Sequence, residues 1–213
     1  MLFALDHTRS FPPPDLSEPD GLLAIGGDLS TDRLLSAYRQ GIFPWYEGET
    51  PLWWCPDPRF VLFPEELKVS KSMKALLRKN TFSFTVDQDF PSVIRACKAT
   101  PRRDQEGTWI TDEVERAYTS LHNLGYAHSA ETWAEGQLVG GLYGMRLGRV
   151  FFGESMFSRV SNASKFAFIS YVQQLRTEGV ALIDCQVHTA YLESLGARMI
   201  PRRAFLERLG ELL

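Results

Sequence analysis

Three strand-like segments in close succession, between residues 128 and 155, constrain the fold of this chain most strongly. They read HSAETWA, LVGGLYGM and RVFFGES. Glu135-Gly136 stands between the first two segments and Gly148 between the last two, and such glycine-containing connections are typical of hairpin turns. Because a hairpin joins antiparallel neighbours, we predict an antiparallel meander in this part of the chain.

Helical segments precede and follow the predicted meander. Thr111 is a suitable N-cap for a helix with an apolar face, and a second helix is predicted from about Asn162 to Glu178. The chain continues with the strand-like run VALIDCQV, a short helix at 189 to 195, a strand near Met199 and a helix after Pro201. A meander crossed by helices indicates an α+β fold.

The first part of the chain differs in character and indicates a separate small domain. It combines a proline-rich arm, a helix that Ser30 caps, and a loop that holds Trp45, Trp53 and Trp54 among several prolines. At 213 residues the chain has room for two unequal domains. We predict a small N-terminal domain over 1–90 and a larger domain over 91–213.

Composition and charge exclude several classes of protein. No stretch approaches the roughly 20 consecutive apolar residues of a membrane helix, and the N-terminus lacks a signal-peptide pattern, so we expect a cytoplasmic protein. The 3 cysteines and 4 histidines show neither paired spacing nor an HExxH motif, and we predict no metal site. With a net charge of -3, any RNA site must be a local basic patch. The residues of such a patch on one predicted helix are Lys71, Lys74, Arg78 and Lys79.

The run LIDCQV places polar residues within an apolar strand. If its side chains alternate, Asp184 and Gln186 share one face while Ile183 and Cys185 share the other. A buried carboxylate and amide need partners, so Asp184 and Gln186 are either hydrogen-bonded inside the core or face a cleft. Both interpretations stay open on the pattern alone. Cys185 is interpreted as a small buried thiol rather than a nucleophile.

Two further carboxylates, Glu131 in HSAETW and Glu154 in FFGESMF, lie in strand-like apolar surroundings. Such surroundings raise the pKa of a carboxyl group unless hydrogen-bond donors compensate. Each glutamate could bind an ammonium group of a ligand or accept internal hydrogen bonds, and the sequence leaves both roles open.

A series of short motifs resembles the leucyl/phenylalanyl-tRNA protein transferase family. From about residue 20 to the C-terminus these are GLLAIGGDLS, GIFPWY, WWCPDPR, GTWIT, GYAHSAETW, VGGLYG, FFGESMFSR, NASK, LIDCQV, SLGA and IPRR. The resemblance implies a small N-terminal domain and a C-terminal domain with the fold of GNAT acyltransferases. It implies no cofactor. In agreement, SMFSRVSNAS lacks the [QR]xxGx[GA] loop with which acetyl-CoA users bind pyrophosphate, so coenzyme A is not expected.

The activity implied by the resemblance is transfer of leucine or phenylalanine, and more weakly methionine, from aminoacyl-tRNA. The acceptor would be the α-amine of a protein beginning with Arg or Lys, which is thereby marked for N-end-rule degradation. The basic patch would contact the tRNA, and Trp45 and Trp109 match aromatics that hold the terminal adenosine and aminoacyl group. Residues matching the apolar pocket for the donor side chain are Leu142, Phe152, Tyr171 and Ile183. Glu154, Asp184 and Gln186 match the reaction centre, and Glu131 is a further candidate at the acceptor site.

The chemistry needs no strong general base, because an aminoacyl ester is an activated donor and a protein α-amine has a pKa near 8. We predict that Gln186 positions or relays the amine proton, while Asp184 orients Gln186 and steadies developing positive charge. Two other functions fit parts of the sequence. One is an acetyl-CoA-dependent N-acyltransferase on the same fold, and the other is an RNA-binding module without catalysis that uses the basic helix and the tryptophans.

Overall fold

The computed structural model describes residues 2–6, 8, 10–100 and 108–213, and its strands form two sheets. The smaller sheet has the strand order β1-β2-β4-β3. Its strands are β1 (Phe3–Leu5), β2 (Leu22–Gly26), β3 (Phe43–Pro44) and β4 (Leu52–Trp54). Helix α1 (Thr31–Arg39) lies between β2 and β3 in the chain, and Ser30 stands at its N-cap position as predicted.

The larger sheet has seven strands in the order β11-β5-β10-β9-β8-β7-β6. These are β5 (Arg59–Leu62), β6 (Ser83–Val86), β7 (Ala127–Ala134), β8 (Gln137–Leu147), β9 (Val150–Ser158), β10 (Leu182–Gln186) and β11 (Arg198–Ile200). Strands β7, β8 and β9 form the antiparallel meander that the sequence predicts. The exception to antiparallel pairing is β9 with β10, which run parallel because the helix α5 (Ala163–Thr177) connects them.

Helices cover both faces of the larger sheet, and each face has its own apolar core. The helices are α2 (Lys71–Arg78), α3 (Phe90–Lys98), α4 (Asp112–Asn123), α5 (Ala163–Thr177), α6 (Ala190–Ser194) and α7 (Arg202–Leu212). One core takes in α1, α3, α4 and α7 together with the smaller sheet, while the other takes in α2 and α5. The α+β fold class is therefore confirmed. Within the described part of the chain, every helix is too short or too polar to cross a membrane.

The larger sheet draws two strands from the part of the chain predicted as the domain 1–90. Both β5 and β6 precede residue 90, yet they pair with β10 and β7. The two sheets divide between Trp54 and Arg59. The domain boundary at residue 90 stays a prediction, and the change from the smaller sheet to the larger one comes well before it in the chain.

The start of helix α5 packs directly against a glycine of the sheet. A Cβ added at Gly140 of β8 would come within 2.6 Å of the Cβ of Ala163. The hydroxyl of Thr132 on β7 also donates to the carbonyl oxygen of Ala163 at 2.9 Å. The start of α5 is thus fixed against the sheet next to the region where β9 and β10 diverge.

The parallel strands β9 and β10 part after a short region of pairing. Their last partners are Phe152 and Asp184, whereas β9 continues beside β8 to Ser158. On its other side, β10 has an irregularity between Asp184 and Gln186 where it pairs with β5. The divergence opens a cleft between the ends of the two strands.

Candidate functional site

A cavity of about 700 Å³ occupies the cleft between β9 and β10. Its surface is mainly apolar, with contributions from both strands, from β8 and from α5. The apolar residues that line it include Phe43, Leu142, Phe151, Met156, Phe168 and Ile183. A cavity of this size and polarity is suited to a small organic group, with the polar residues at its edge fixing orientation.

Aromatic and aliphatic side chains stand where the cavity meets solvent. Trp45 is 37% exposed, and its ring lies 5.7 Å from that of Trp54. Val187, just beyond β10, is 48% exposed. Trp109 also lines the cavity but is almost fully buried. Two tryptophans thus contribute to one cavity, one at the surface and one in the wall.

Glu154 of β9 is the carboxylate at the polar part of the cavity. Its Oε1 accepts hydrogen bonds from the hydroxyl of Tyr38 at 2.6 Å and from Nε2 of Gln186 at 3.1 Å, and its Oε2 accepts one from Tyr118 at 3.2 Å. Burial raises the pKa of Glu154 to about 7, although the hydrogen bonds from the two tyrosines and Gln186 oppose the shift. Near neutral pH this carboxyl group can therefore gain or lose a proton.

Two buried tyrosines from different helices meet at Glu154. Tyr38 belongs to α1 and Tyr118 to α4, and their hydroxyl oxygens also lie within hydrogen-bonding distance of each other. Because each phenol carries one proton, the two tyrosines cannot donate to each other while both donate to Glu154. Burial, followed by the charge of Glu154, raises the pKa of both phenols well above the ordinary value. Both tyrosines are consequently neutral hydrogen-bond donors, which can hold the glutamate without competing for its proton.

Asp184 lies behind the cavity wall in a buried ion pair. Arg59 donates from Nε to Oδ1 at 2.8 Å and from Nη2 to Oδ2 at 2.6 Å, and both side chains are inaccessible to solvent. The guanidinium carbon lies 4.7 Å from the ring centre of Phe43 and 4.6 Å from that of Phe205. Two-point hydrogen bonding between two rings fixes the Asp184 carboxylate in place.

Gln186 reaches the cavity through an irregular backbone. Its φ is +63°, in the left-handed region, and its backbone N–H donates to Oδ1 of Asp184 at 2.9 Å. The predicted alternation is therefore wrong beyond Asp184. Ile183, Cys185 and Gln186 all line the cavity, while Asp184 does not. The irregularity in the pairing with β5 turns the Gln186 amide away from Asp184 and towards Glu154.

Comparison with known proteins decides the family. A family model described as Leucyl/phenylalanyl-tRNA protein transferase matches residues 61–210, and the model of its N-terminal domain matches residues 27–57. The chain belongs to the leucyl/phenylalanyl-tRNA protein transferase family. A family member from Nitrosospira multiformis is 60% identical over 216 residues, covering 100% of this chain and 93% of the relative. Another from Syntrophobacter fumaroxidans is 59% identical, covering 99% of this chain and 90% of the relative.

Solved structures that are similar to this transferase have low sequence identity. A GCN5-related N-acetyltransferase from Kribbella flavida matches with a TM-score of 0.42 and 12% identity, covering 79% of this chain and 59% of that one. The structure of L-PGS from Bacillus licheniformis matches with a TM-score of 0.41 and 13% identity, covering 79% and 54%. Likeness at this level says nothing about activity.

Several residues to which the family resemblance gave a role lie outside the cavity wall. Phe152 is buried on the opposite side of β9, where its ring lies 5.0 Å from that of Tyr38. Tyr171 packs edge-on behind Phe151 at 5.1 Å. Because β9 alternates, Phe151 faces the cavity in the place expected for Phe152, and it shields Tyr171 from the cavity.

Glu131 has an internal role in this transferase. It is fully buried on β7, where it accepts hydrogen bonds from the hydroxyl groups of Ser129 at 2.5 Å and Thr85 at 2.7 Å. The N–H of Asp89 points to its Oε1 at 3.5 Å. Of the two roles that the sequence left open, the structure favours the internal acceptor for Glu131, and it places Glu154 on the cavity.

The basic patch is exposed, as expected for a surface that contacts tRNA. Lys71, Lys74 and Arg78 lie on the solvent side of α2, opposite the buried Met73, and Lys79 follows directly after the helix. This placement leaves their charges accessible to a large partner. Their contact with tRNA stays a prediction.

The motifs did not identify Tyr38, Tyr118 and Arg59 as parts of the site. Both tyrosines fall on the apolar faces of amphipathic helices, a pattern that indicates core packing and carries no sign of a shared partner. A signal did exist for Arg59. The fully buried strand RFVL begins with one cation, and the nearby strand LIDCQ contains one anion. Opposite charges on two buried strands are expected to pair.

Proposed function

We propose that this protein transfers leucine or phenylalanine, and more weakly methionine, from aminoacyl-tRNA to the N-terminal α-amine of proteins that begin with Arg or Lys. The modified proteins would thereby be marked for N-end-rule degradation in the cytoplasm. One observation carries this proposal. The mainly apolar cavity has a titratable carboxylate, Glu154, at its polar part, and Gln186 is hydrogen-bonded to it. Family membership supplies the class of donor and acceptor.

The apolar part of the cavity suits the side chain of the donor amino acid. Leu142, Phe168 and Ile183 present flexible or flat apolar surface without charge. Such a pocket distinguishes a single methylene by only about 1 to 3 kcal/mol, so it can accept leucine, phenylalanine and methionine together. A branch at the β-carbon would be rejected by shape. Trp45, which is partly exposed, would stack on the terminal adenosine, an interaction worth about 1 to 3 kcal/mol per base. Trp109, which is almost fully buried in the cavity wall, would contact the aminoacyl group.

The polar part of the cavity suits the acceptor amine. Gln186 donates from its amide nitrogen to Glu154, and within the described residues no donor occupies its amide oxygen. That oxygen can therefore accept an N–H of the amine and aim the nitrogen lone pair at the ester. Asp184 supports this geometry by holding the Gln186 backbone, and we assign it no contact with substrate.

The transfer is a direct attack by the amine on the ester. The α-ammonium first loses a proton to the carboxylate of Glu154, whose pKa of about 7 is close to that of the amine. The neutral nitrogen then bonds to the ester carbonyl carbon, the bond from that carbon to the ribose oxygen breaks, and the second amine proton goes to the ribose oxygen. Glu154 returns its proton to water. No covalent enzyme intermediate is required.

A transfer assay tests the proposal. The protein is incubated with radiolabelled leucyl-tRNA and a protein that begins with Arg, and the product is treated with mild alkali. Label in the acceptor protein that survives alkali is an amide, whereas residual ester is lost. The same acceptor with an acetylated N-terminus is the matched control and should take up no label. Binding of tRNA without any stable transfer would favour the RNA-binding module, and acetylation with acetyl-CoA would favour the alternative acyltransferase.

A further inference from the structure

The NASK motif at the start of α5 contains one residue that neither the fold nor the proposed mechanism uses. Asn162 adopts the left-handed conformation that begins the helix, with φ +67°. Ala163 is fully buried against the sheet, and the N–H of Ser164 is bonded to the Ser158 hydroxyl at 3.2 Å. Lys165, in contrast, is exposed. The first three residues of the motif build the turn, and the lysine does not take part in it.

Lys165 stands over a side chain of the cavity wall. Its Nζ lies 5.2 Å from the ring centre of Tyr191, which lines the cavity. One helical turn further along α5, Phe168 also lines the cavity, and its ring lies 6.4 Å from that of Tyr191. Residues three apart share a helix face, so Lys165 lies on the cavity side of α5. The aromatic ring attracts the ammonium group and favours this position of the long side chain.

The positive charge of Lys165 is available to a ligand. Of the carboxylates in the described chain, none comes within ion-pair distance of its Nζ. The basic patch is close as well, because α2 packs against α5, and Met73 belongs to the same apolar core as Phe166. Basic side chains therefore stand both on α2 and at the cavity edge of the helix beneath it.

We propose that Lys165 binds a backbone phosphate of the single-stranded 3′ end of the aminoacyl-tRNA as this end enters the cavity. The inference rests on the proposed function. The 3′ end of the donor carries a backbone phosphate at each nucleotide next to the aminoacyl-adenosine, whereas the N-terminus of the acceptor is positively charged. A cation at this edge of the cavity therefore attracts the donor and not the acceptor. Lys165 thus positions the donor end, and the patch on α2 contacts the acceptor stem.

Three phenylalanyl donors of decreasing size separate these contacts. They are phenylalanyl-tRNA, a phenylalanylated CCA trinucleotide, which keeps the phosphates next to the reacting ester, and phenylalanyl-adenosine, which has none. Lys165→Met keeps the apolar stem and removes the charge. We expect it to raise KM about fourfold for the first two donors, within the range of one exposed ion pair, and to leave kcat and the adenosine donor unchanged. Lys165→Arg should restore the wild-type values.

The α2 variant Lys71→Ala/Lys74→Ala/Arg78→Ala is the matched comparison. It should raise KM for phenylalanyl-tRNA alone, because the trinucleotide lacks the acceptor stem. The phosphate contact is wrong if Lys165→Met raises KM for phenylalanyl-adenosine as much as for the trinucleotide. It is also wrong if the variant changes KM for neither donor.

A binding measurement keeps the test independent of transfer. The affinity for a CCA trinucleotide without an amino acid is measured by fluorescence anisotropy over a range of salt concentrations, for the wild-type protein and for Lys165→Met. In a plot of log affinity against log salt concentration, the negative slope should be shallower by about 0.7 in the variant, the value for one phosphate on a single strand. The same slope for Lys165→Met and the wild-type protein would overturn the phosphate contact, whether or not the protein transfers an amino acid. A smaller slope in the variant, together with a wild-type protein that transfers nothing, would contradict the proposed function and leave the phosphate contact standing.

Discussion

The carboxylate of Asp184 accepts a hydrogen bond from the backbone N–H of Gln186, two residues along the same strand, at 2.9 Å. This contact stabilises a left-handed backbone conformation that a non-glycine residue adopts only at a cost. Arg59 fixes the carboxylate from the opposite side through two hydrogen bonds. An ion pair with no access to the cavity thus determines where the amide of Gln186 points.

The first prediction concerns this ion pair. Arg59→Met should reduce the free energy of unfolding by about 3 to 5 kcal/mol, because it leaves Asp184 charged and buried without its partner. Combining it with Asp184→Asn should recover much of the loss, since the asparagine needs no cation and still offers an oxygen to Gln186. Urea unfolding of the two single variants and the double variant measures the coupling. Losses below about 1 kcal/mol in both single variants would mean that the pair contributes little.

The second prediction concerns the pH dependence of transfer. With the pKa of Glu154 raised to about 7, its carboxylate fraction grows as pH rises through neutrality. In the wild-type protein kcat/KM should therefore rise with an ionisation near 7, because ionised Glu154 can take the proton of the acceptor ammonium before the amine itself ionises near 8. Glu154→Gln should lower kcat and leave only the ionisation of the amine. Identical pH profiles for the two proteins would remove Glu154 from the mechanism.

Stability provides an internal check on the same group. Because the folded protein holds the Glu154 proton more tightly than the unfolded chain, this residue makes the folded state progressively less stable as pH rises from about 4.5 to about 7. The penalty is absent below the lower value and complete above the higher one. Glu154→Gln should not show this loss of stability. Between pH 4.5 and about pH 7 the free energy of unfolding of the variant should therefore rise relative to that of the wild type.

The sequence predicts those features that depend on local pattern. The meander follows from glycine-containing turns, and the N-cap of α4 follows from Thr111, whose hydroxyl accepts the N–H of Val114 at 3.2 Å. The orientation of Gln186 does not follow, because it depends on how β10 pairs with β5. The meeting of Tyr38 and Tyr118 joins helices 80 residues apart in sequence, and no local pattern encodes that contact.

The third prediction concerns tRNA. Replacing Lys71, Lys74 and Arg78 with Ala should raise KM for aminoacyl-tRNA and flatten its dependence on salt, because each phosphate contact releases counterions. The residues are exposed, so stability should hardly change. Arg203→Ala on α7 is a suitable control, since Arg203 is 89% exposed and pairs only with the neighbouring Glu207 in the described chain. A salt dependence that the triple variant shares with the wild type would mean that the patch merely faces solvent.

The fourth prediction concerns donor selection. Leu142 is 2% exposed and lines the apolar part of the cavity, so Leu142→Trp should occupy space that the larger donor needs. Transfer of phenylalanine should fall before transfer of leucine, by roughly tenfold more in kcat/KM, the order expected from a pocket of limited volume. Tyr171→Phe, behind Phe151, should leave the ratio of the two donors unchanged. Equal losses for both donors in a folded Leu142→Trp protein would place this residue outside the donor pocket.

The last prediction separates direct attack from a covalent intermediate. Cys185 and Gln186 are adjacent in sequence and both line the cavity. Burial, and then the nearby charge of Asp184, raises the pKa of the Cys185 thiol, which is therefore protonated and a poor nucleophile at neutral pH. Cys185→Ala should keep kcat within about twofold of the wild-type value. Gln186→Ala should lower kcat by roughly tenfold or more and preserve tRNA binding, because the interaction of Gln186 acts mainly in the transition state.

Single-turnover kinetics measures both effects, and mass spectrometry of the quenched reaction detects any aminoacyl group on sulfur. A folded Cys185→Ala protein without activity, together with a thioester on the wild-type enzyme and full activity in Gln186→Ala, would replace direct attack with a two-step mechanism.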